Sequence, residues 1–254
     1  MSKPAIVIVP GSFTGPEFYD SLSSILQKEH GFEVIVGALQ SASRSPPEKP
    51  ATLQEDAAYF RGIVEALSSQ GKDIVIVGHS FGGAVATQSV KSVTKPERQA
   101  AGADAGGAVR MVYLASVLPD IGQAPLEAMG GQLGQNIKIL GDFMHIDADA
   151  AAPVFFPGLP SDVALDLARK LKCQSTLSFL DPPNYTAVDH VPVTYIYTTK
   201  DNIIPVEYQQ VWVEKLKQRN AKKVSTVTID EHHYAPTLAP EVTAKAIVEA
   251  ITQD

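Results

Sequence analysis

Short runs of apolar, largely β-branched residues recur along the chain, separated by segments whose apolar positions follow a helical spacing. The strand-like runs are Ala5–Val9, Phe32–Leu39, Asp73–Gly78, Val109–Ser116, Val191–Thr199 and Lys223–Ile229. The helical segments are Pro16–Lys28, Leu53–Gln70, Gly83–Val93, Val206–Gln218 and Pro240–Ile251. Strands that are apolar throughout and alternate with helices are typical of a parallel sheet buried on both faces. The pattern predicts an α/β protein with a doubly wound, mainly parallel sheet of about six strands.

The alternation is interrupted once, over the stretch 118–188. This stretch shows no strong strand pattern, and it contains one helical pattern at Asp162–Leu171. It is too long for a plain loop, because loops beyond about 15 residues are uncommon in compact domains. We therefore expect residues 119–187 to form an inserted, mostly helical cap. Residues 1–118 and 188–254 are expected to form the core domain.

Composition and charge limit the function classes. Of the 254 residues, 44% are hydrophobic and 19% are charged, as in a globular chain. The net charge is −7 and the sequence contains no basic cluster, so no nucleic-acid partner is expected. No apolar run approaches the ~20 residues that span a bilayer, and the first residues do not resemble a signal peptide. Cys173 is the sole cysteine, which excludes an intrachain disulfide. We expect a cytoplasmic protein with no membrane partner, while a homodimer stays open.

The Gly- and Ala-rich stretch Ala100–Ala108 is expected to be a surface loop.

A Gly-x-Ser-x-Gly motif joins the third predicted strand to the helix that follows it. It reads Gly78-His79-Ser80-Phe81-Gly82. An ordinary Gly-rich turn has the same spacing, but the flanking strand and helix favour a nucleophile elbow. Such an elbow holds the serine in a strained conformation, and a side chain at position 78 or 82 would collide with the neighbouring strand and helix. The Phe81 N–H, at the helix N-terminus, is then a candidate donor to an oxyanion.

The loop Val9–Gly15, after the first predicted strand, is where a second oxyanion donor is expected. Gly11 permits a sharp turn there, and the Ser12 N–H is the candidate donor facing Ser80. The stretch also reads as a simple turn into the next helix, and the two roles are compatible.

A serine hydroxyl needs a histidine to take its proton and a carboxylate to orient that histidine. With this elbow, the acid and then the histidine follow later strands. Asp201 follows the fifth predicted strand, although an Asp at this position also suits a turn cap. His232 and His233 follow the sixth, and only one of them can face the serine. Adjacent histidines without further ligands are a weak indication of a metal site.

Four parts of the chain together resemble the α/β-hydrolases, and more narrowly the branch that includes methyl-salicylate-type esterases and hydroxynitrile lyases. These parts are Val7–Gly15, Gly78–Gly83, Tyr113–Asp120, and Lys200–Pro205 with His233–Pro240. The stretch 141–171 also resembles the cap of that branch, so the similarity covers almost the whole chain. In this branch the catalytic histidine commonly lies seven residues before the Pro-Glu pair that opens the last helix, which implies His233.

The chain departs from the branch at two informative positions. Plant hydroxynitrile lyases carry a lysine directly after the catalytic histidine, whereas this chain has Tyr234, which argues against cyanohydrin cleavage. The His-Gly pair that is frequent after the first strand is replaced by Pro10-Gly11. The oxyanion donors are backbone groups, so the second change is expected to leave them in place.

Motifs and resemblance together predict a serine hydrolase that cleaves a small hydrophobic or aromatic ester or lactone through an acyl-enzyme on Ser80. His233 is the expected base and Asp201 its orienting acid, with no metal or cofactor. The candidate pocket residues are Phe13, Phe143, His145, Phe155, Phe156 and Tyr234, with Met144 and Leu159 beside them in the cap. Any single cap residue is equally consistent with plain cap core. Two other classes stay open: a lyase or cyclase that reuses the triad as acid and base, and a slow-turnover ligand-binding receptor.

Overall fold

The computed structural model describes residues 3–103 and 106–253, and strands alternate with helices along most of this range. Residues 104 and 105, part of the predicted loop Ala100–Ala108, lie outside it, and Gly107 opens a strand. The described residues contain nine strands: β1 (Ala5–Val9), β2 (Val34–Val36), β3 (Asp73–His79), β4 (Gly107–Leu114), β5 (Ile137–Leu140), β6 (Phe143–Ile146), β7 (Gln174–Ser175), β8 (Val193–Thr198) and β9 (Val224–Ile229).

The same residues contain twelve α-helices: α1 (Asp20–Lys28), α2 (Gln40–Ser43), α3 (Leu53–Ser68), α4 (Gly82–Ser89), α5 (Lys95–Ala100), α6 (Pro125–Ala128), α7 (Ala148–Phe155), α8 (Ser161–Ala168), α9 (Thr176–Leu180), α10 (Val206–Asn220), α11 (Ala235–Leu238) and α12 (Pro240–Thr252). Three short 3-10 helices add Pro16–Tyr19, Ala187–Asp189 and Ala221–Lys223. None of these helices is long and apolar enough to cross a membrane.

Six of the strands form one parallel sheet in the order β2-β1-β3-β4-β8-β9. Strand β3 lies between β1 and β4, with Ile76 opposite Val7 on one side and Met111 on the other. The order of the strands reverses between β1 and β3, and the loops that leave two such strands diverge to open a crevice at their carboxyl ends. The predicted doubly wound parallel sheet is confirmed, and this crevice is where its chemistry is expected.

Both faces of the sheet are covered, which explains why its strands are apolar at successive positions. On β3, Ile74 and Ile76 pack into a cluster with helices α3, α4 and α10. Val75 and Val77 point to the other face and pack into a cluster with α1 and α12. The sheet is therefore a rigid layer, and its carboxyl edge is a fixed platform for the loops that follow it.

The insertion between β4 and β8 carries helices α6 to α9, as a mostly helical cap requires, but it also contains a sheet. Strands β5, β6 and β7 pair there in antiparallel order. The sequence shows no strong strand pattern in this stretch, so the small sheet is a feature that the sequence analysis did not predict. β5 and β6 have four residues each and β7 has two, which is too short for a periodic signal in the sequence. The helical pattern Asp162–Leu171 corresponds to α8, which ends earlier, at Ala168.

Two neighbouring aromatic residues on α3 test how the core is packed. Phe60 is fully buried, with its ring against the backbone of Gly37, whereas Tyr59 is 40% exposed. Phe60→Ala should lower the free energy of unfolding by about 3–5 kcal/mol, because it leaves a cavity. Tyr59→Ala should lower it by about 1 kcal/mol, the value of its edge-to-face contact with Phe60. Urea denaturation measures both, and equal losses would contradict this packing.

Candidate active site

Ser80 occupies the sharp turn between β3 and α4. Its φ of +55° lies in the left-handed region, which non-glycine residues rarely adopt. A Cβ at Gly78 would lie 2.8 Å from the carbonyl oxygen of Gly82. A Cβ at Gly82 would collide with the carbonyl oxygens of Val9 and Pro10. The strain and the collisions predicted for this turn are confirmed, and the missing side chains let the turn close against the end of β1.

Backbone hydrogen bonds fix the turn to the strand beside it. The Ser80 N–H donates to the carbonyl oxygen of Leu114, at the end of β4, over 3.1 Å. The Ser80 carbonyl oxygen accepts from the N–H groups of Val117, at 3.0 Å, and Gly83, at 2.9 Å. The backbone of Ser80 is therefore held by β4 and α4 together, and the residue lines the cavity described below.

Asp201, after β8, and His233, after β9, are hydrogen-bonded to each other. The Nδ1 atom of His233 lies 2.7 Å from Oδ2 of Asp201, and the two side chains are 4% and 0% exposed respectively. His232 bonds elsewhere, since its Nδ1 lies 2.9 Å from the carbonyl oxygen of Lys200 and donates to it. The structure thus brings His233, and not its neighbour, to the buried carboxylate.

The Asp201 carboxylate is surrounded by hydrogen-bond donors. Burial raises the pKa of this carboxyl, but attraction to His233 and the hydrogen bonds around it outweigh burial, so the net shift of the pKa is downward. The donors are the Ile203 and Ile204 N–H groups on Oδ1, and the side chains of Thr198, Gln209 and His233 on Oδ2. Asp201 is therefore ionised at neutral pH and holds the Nδ1 proton of His233.

Ser80 and His233 line the same cavity. No hydrogen bond joins the Ser80 hydroxyl to His233 in this structure. Such bonds are often long without substrate and shorten when substrate binds. Of the two contacts that a triad needs, the structure shows the one between His233 and Asp201.

Two backbone N–H groups, that of Ser12 in the loop after β1 and that of Phe81 at the elbow, have no acceptor among the residues that the structure describes. Both residues line the cavity. The peptide between Gly11 and Ser12 is fixed, because the Gly11 carbonyl oxygen accepts a hydrogen bond from Thr14 Oγ1 at 2.7 Å. The C=O and N–H of one trans peptide point in opposite directions, so this bond sets the direction of the Ser12 N–H. The two predicted oxyanion donors are therefore unpaired and belong to residues that line one cavity.

A buried chain of hydrogen bonds through His79 joins the elbow to both neighbouring loops. Its Nε2 lies 2.9 Å from the carbonyl oxygen of His233, which only accepts, so Nε2 carries the proton. Its Nδ1 accepts from the Tyr19 hydroxyl at 2.7 Å, and that hydroxyl accepts from the Gly11 N–H. Burial, and then repulsion from His233, lowers the pKa of His79 to about 3, which keeps it neutral. No local pattern could reveal this chain, since the partners of His79 are 60 and 154 residues away.

A cavity of about 650 Å³ opens where the core meets the insertion. The described residues contain no group of three or more His, Cys, Asp or Glu side chains placed to hold a metal ion. Apolar side chains from the core and from the insertion form much of the cavity wall, among them Phe13, Phe81, Ile203, Leu133, Phe155 and Phe179. The cavity is thus mostly apolar, and Ser80 and His233 are among the residues that line it.

Half of the predicted pocket residues lie on this cavity: Phe13, Phe155 and Tyr234 line it, whereas Phe143, His145 and Phe156 do not. Phe156 turns into the core, where its ring packs 6.2 Å from that of Phe18 and 5.0 Å from that of Tyr234. Phe143 is buried on β6 of the small antiparallel sheet, and His145 lies on the same strand opposite Lys138. Met144 and Leu159 pack into the two hydrophobic clusters. An aromatic pair in sequence does not reveal which member faces a cavity.

Sequence reasoning missed several residues of the cavity wall. Ile203 and Ile204 follow the acid after Asn202, and their apolar character beside a polar turn was a usable signal. Phe179 stacks on Phe81, with ring centroids 4.7 Å apart and planes at 6°. This contact joins α9 to the elbow across the fold, and only the tertiary structure shows it.

Comparisons with known proteins agree with this architecture. A model described as "Alpha/beta hydrolase family" matches residues 6–246. A relative from a Phoma species, "Probable hydrolase R7", is 32% identical over 98% of each chain. The solved structure of polyneuridine aldehyde esterase has a TM-score of 0.77 at 19% identity, covering 98% of this chain and 99% of the other. The methylesterase MES16 from Arabidopsis has a TM-score of 0.72 at 20% identity, with the same coverage. The resemblance seen in the sequence is confirmed, and the chain belongs to the alpha/beta hydrolase family.

Proposed function

We propose that this hydrolase cleaves a hydrophobic carboxylic ester or lactone through an acyl-enzyme on Ser80. The observation that carries the proposal is a convergence at one cavity: Ser80 on a strained turn, His233 held by the ionised Asp201, and two unpaired N–H groups. A nucleophile, an oriented base and an oxyanion site are the parts that acyl transfer needs. The esterase and the methylesterase that share the fold support this reaction class.

Acylation begins when Nε2 of His233 takes the Ser80 proton and Oγ attacks the carbonyl carbon. The electron pair of the C=O bond moves to oxygen, and the oxyanion accepts hydrogen bonds from the N–H groups of Ser12 and Phe81. Asp201 keeps the other proton of the ring on Nδ1 and stabilises the imidazolium that forms. His233 then gives its new proton to the departing alcohol oxygen as the C–O bond breaks, which leaves the acyl group on Ser80.

Deacylation repeats these steps with water. His233 takes a proton from the water as its oxygen attacks the acyl carbon, and the same two N–H groups bind the second oxyanion. The intermediate collapses, the proton returns to Ser80 Oγ, and the carboxylic acid leaves. The same base and the same oxyanion site therefore serve both halves of the reaction.

The cavity favours a bulkier substrate than the sequence alone suggested. Its volume of about 650 Å³ falls within the range of about 300–1,000 Å³ that is usual for drug-sized ligands. Leu133, Phe155 and Phe179 give it apolar walls. An acetate ester would leave most of this wall in contact with water, and burial of apolar surface favours binding. We therefore extend the proposal to esters with a large apolar group.

A series of p-nitrophenyl esters with lengthening acyl chains tests this function. The wild type should hydrolyse them, and kcat/KM should rise at least about tenfold from acetate to hexanoate as methylenes enter the apolar cavity. Ser80→Ala should hydrolyse none of them above background. A flat or falling series would contradict the bulky substrate, and near wild-type rates in Ser80→Ala would refute the nucleophile.

The adjacent histidines provide a matched pair of variants. His233→Ala should lower kcat by about four powers of ten or more, because it removes the base that Asp201 orients. His232→Ala should stay within about threefold of wild type, since its ring bonds to the Lys200 carbonyl outside the cavity. Steady-state kinetics with one ester compares them. The reverse order would show that the last loop is assigned one residue out of register.

A further inference from the structure

Phe13 holds an unfavourable backbone conformation next to the oxyanion donor of Ser12. Its φ of +64° is left-handed, a region that bulky residues rarely adopt without outside support. Its N–H donates to Oε1 of Gln174 at 3.2 Å, and its carbonyl oxygen accepts from the N–H of Lys172 at 2.8 Å. Gln174 and Lys172 belong to the insertion, so the insertion holds both backbone groups of Phe13.

The Gln174 side chain is itself fixed on its other end. Its Nε2 donates to the hydroxyl oxygens of Ser41, at 2.7 Å, and Ser178, at 2.9 Å, so the amide oxygen is the atom that faces Phe13. Ser41 donates in turn through its N–H and its hydroxyl to the two carboxylate oxygens of Asp56. These four polar residues are fully buried, and none of them lines the cavity. The network therefore serves the loop rather than a ligand.

We propose that Gln174 is a positioning residue for the reaction: it clasps Phe13 from the insertion and so fixes the Ser12 N–H where the oxyanion forms. The inference rests on the proposed function of this site. The core side of the loop is fixed at Gly11 by Thr14 and Tyr19, and the clasp fixes the other side.

Loss of the clasp acts on the transition state rather than on the bound ester. Without Gln174 the Phe13 N–H has no acceptor, and the Lys172 N–H alone holds the residue, so we expect Phe13 to relax to a negative φ. A change of φ at Phe13 displaces Thr14, whose hydroxyl fixes the Gly11–Ser12 peptide through the Gly11 carbonyl oxygen. The Ser12 N–H belongs to that peptide and loses its fixed direction, so the oxyanion loses a preorganised hydrogen bond that the planar substrate does not need. The contacts between the insertion and the core thus fix the geometry of the oxyanion site as well as the wall of the cavity.

Gln174→Met tests the clasp, because it keeps the volume of the side chain and removes its hydrogen bonds. With p-nitrophenyl acetate, which is too small to depend on the cavity wall, kcat/KM should fall by about 10- to 100-fold, with KM within about threefold of wild type. The matched control is Gln88→Met. Gln88 is also a buried glutamine that ties the core to the insertion, through Asn184, but it does not touch the oxyanion loop. This control should stay within about twofold of wild type.

A trifluoromethyl ketone adds a readout that loss of stability alone would not move. Ser80 Oγ bonds to the ketone carbon, its proton passes to His233, and the carbonyl electron pair moves to oxygen, which becomes the bound anion. The inhibition constant of the trifluoromethyl ketone should rise in Gln174→Met by the same factor by which kcat/KM for the ester falls. If that variant does not fold, Ser178→Ala should show the same two changes at about threefold, because it loosens the Gln174 amide without touching Phe13.

The outcomes separate the two proposals. Unchanged kcat/KM and inhibition in folded Gln174→Met, or in folded Ser178→Ala, would overturn the clasp and leave the hydrolase function standing. An equal loss in Gln88→Met would also overturn it, since any disturbance of the insertion would then suffice. A wild type that neither turns over the ester nor binds the ketone would overturn the hydrolase function, and the clasp with it.

Discussion

The close approach of three backbone segments at Ser80 is the constraint on which the rest of the site depends. The turn after β3 lies against the end of β1 and against the segment after β4, and a Cβ at Gly83 would lie only 2.5 Å from the Cβ of Ser116. Glycines at these contacts let the segments meet, and the surrounding hydrogen bonds maintain the left-handed Ser80. The loops after β1 and β9 then converge on a serine whose position is set before any substrate arrives.

The polar groups around this serine fall into two sets. Buried groups such as the Asp201 carboxylate and the His79 ring have partners on every side, as buried polar groups must if the fold is to tolerate them. The N–H groups of Ser12 and Phe81 belong to residues that line the cavity, and they have no acceptor in the described part of the chain. Rigid surroundings with free donors at one point make a site that stabilises negative charge without rearranging.

Local signatures account for what the sequence could predict. The apolar strands and the Gly-x-Ser-x-Gly turn each depend on neighbouring residues, so the sheet and the position of Ser80 were readable. The choice of His233 over His232 required the family resemblance, because both follow the same strand. The small antiparallel sheet of the insertion was missed since its strands have two to four residues. The clasp between Phe13 and Gln174 spans 161 residues, and no local pattern encodes such a contact.

Intact-protein mass after treatment with a fluorophosphonate examines Ser80 itself, independently of any substrate. Ser80 Oγ displaces fluoride from phosphorus while His233 takes the proton, so the adduct requires both an exposed hydroxyl and an oriented base. The wild type should gain one adduct, peptide mapping should locate it on Ser80, and Ser80→Ala should gain none. An unlabelled wild type, or an equally labelled Ser80→Ala, would contradict an activated nucleophile at this turn.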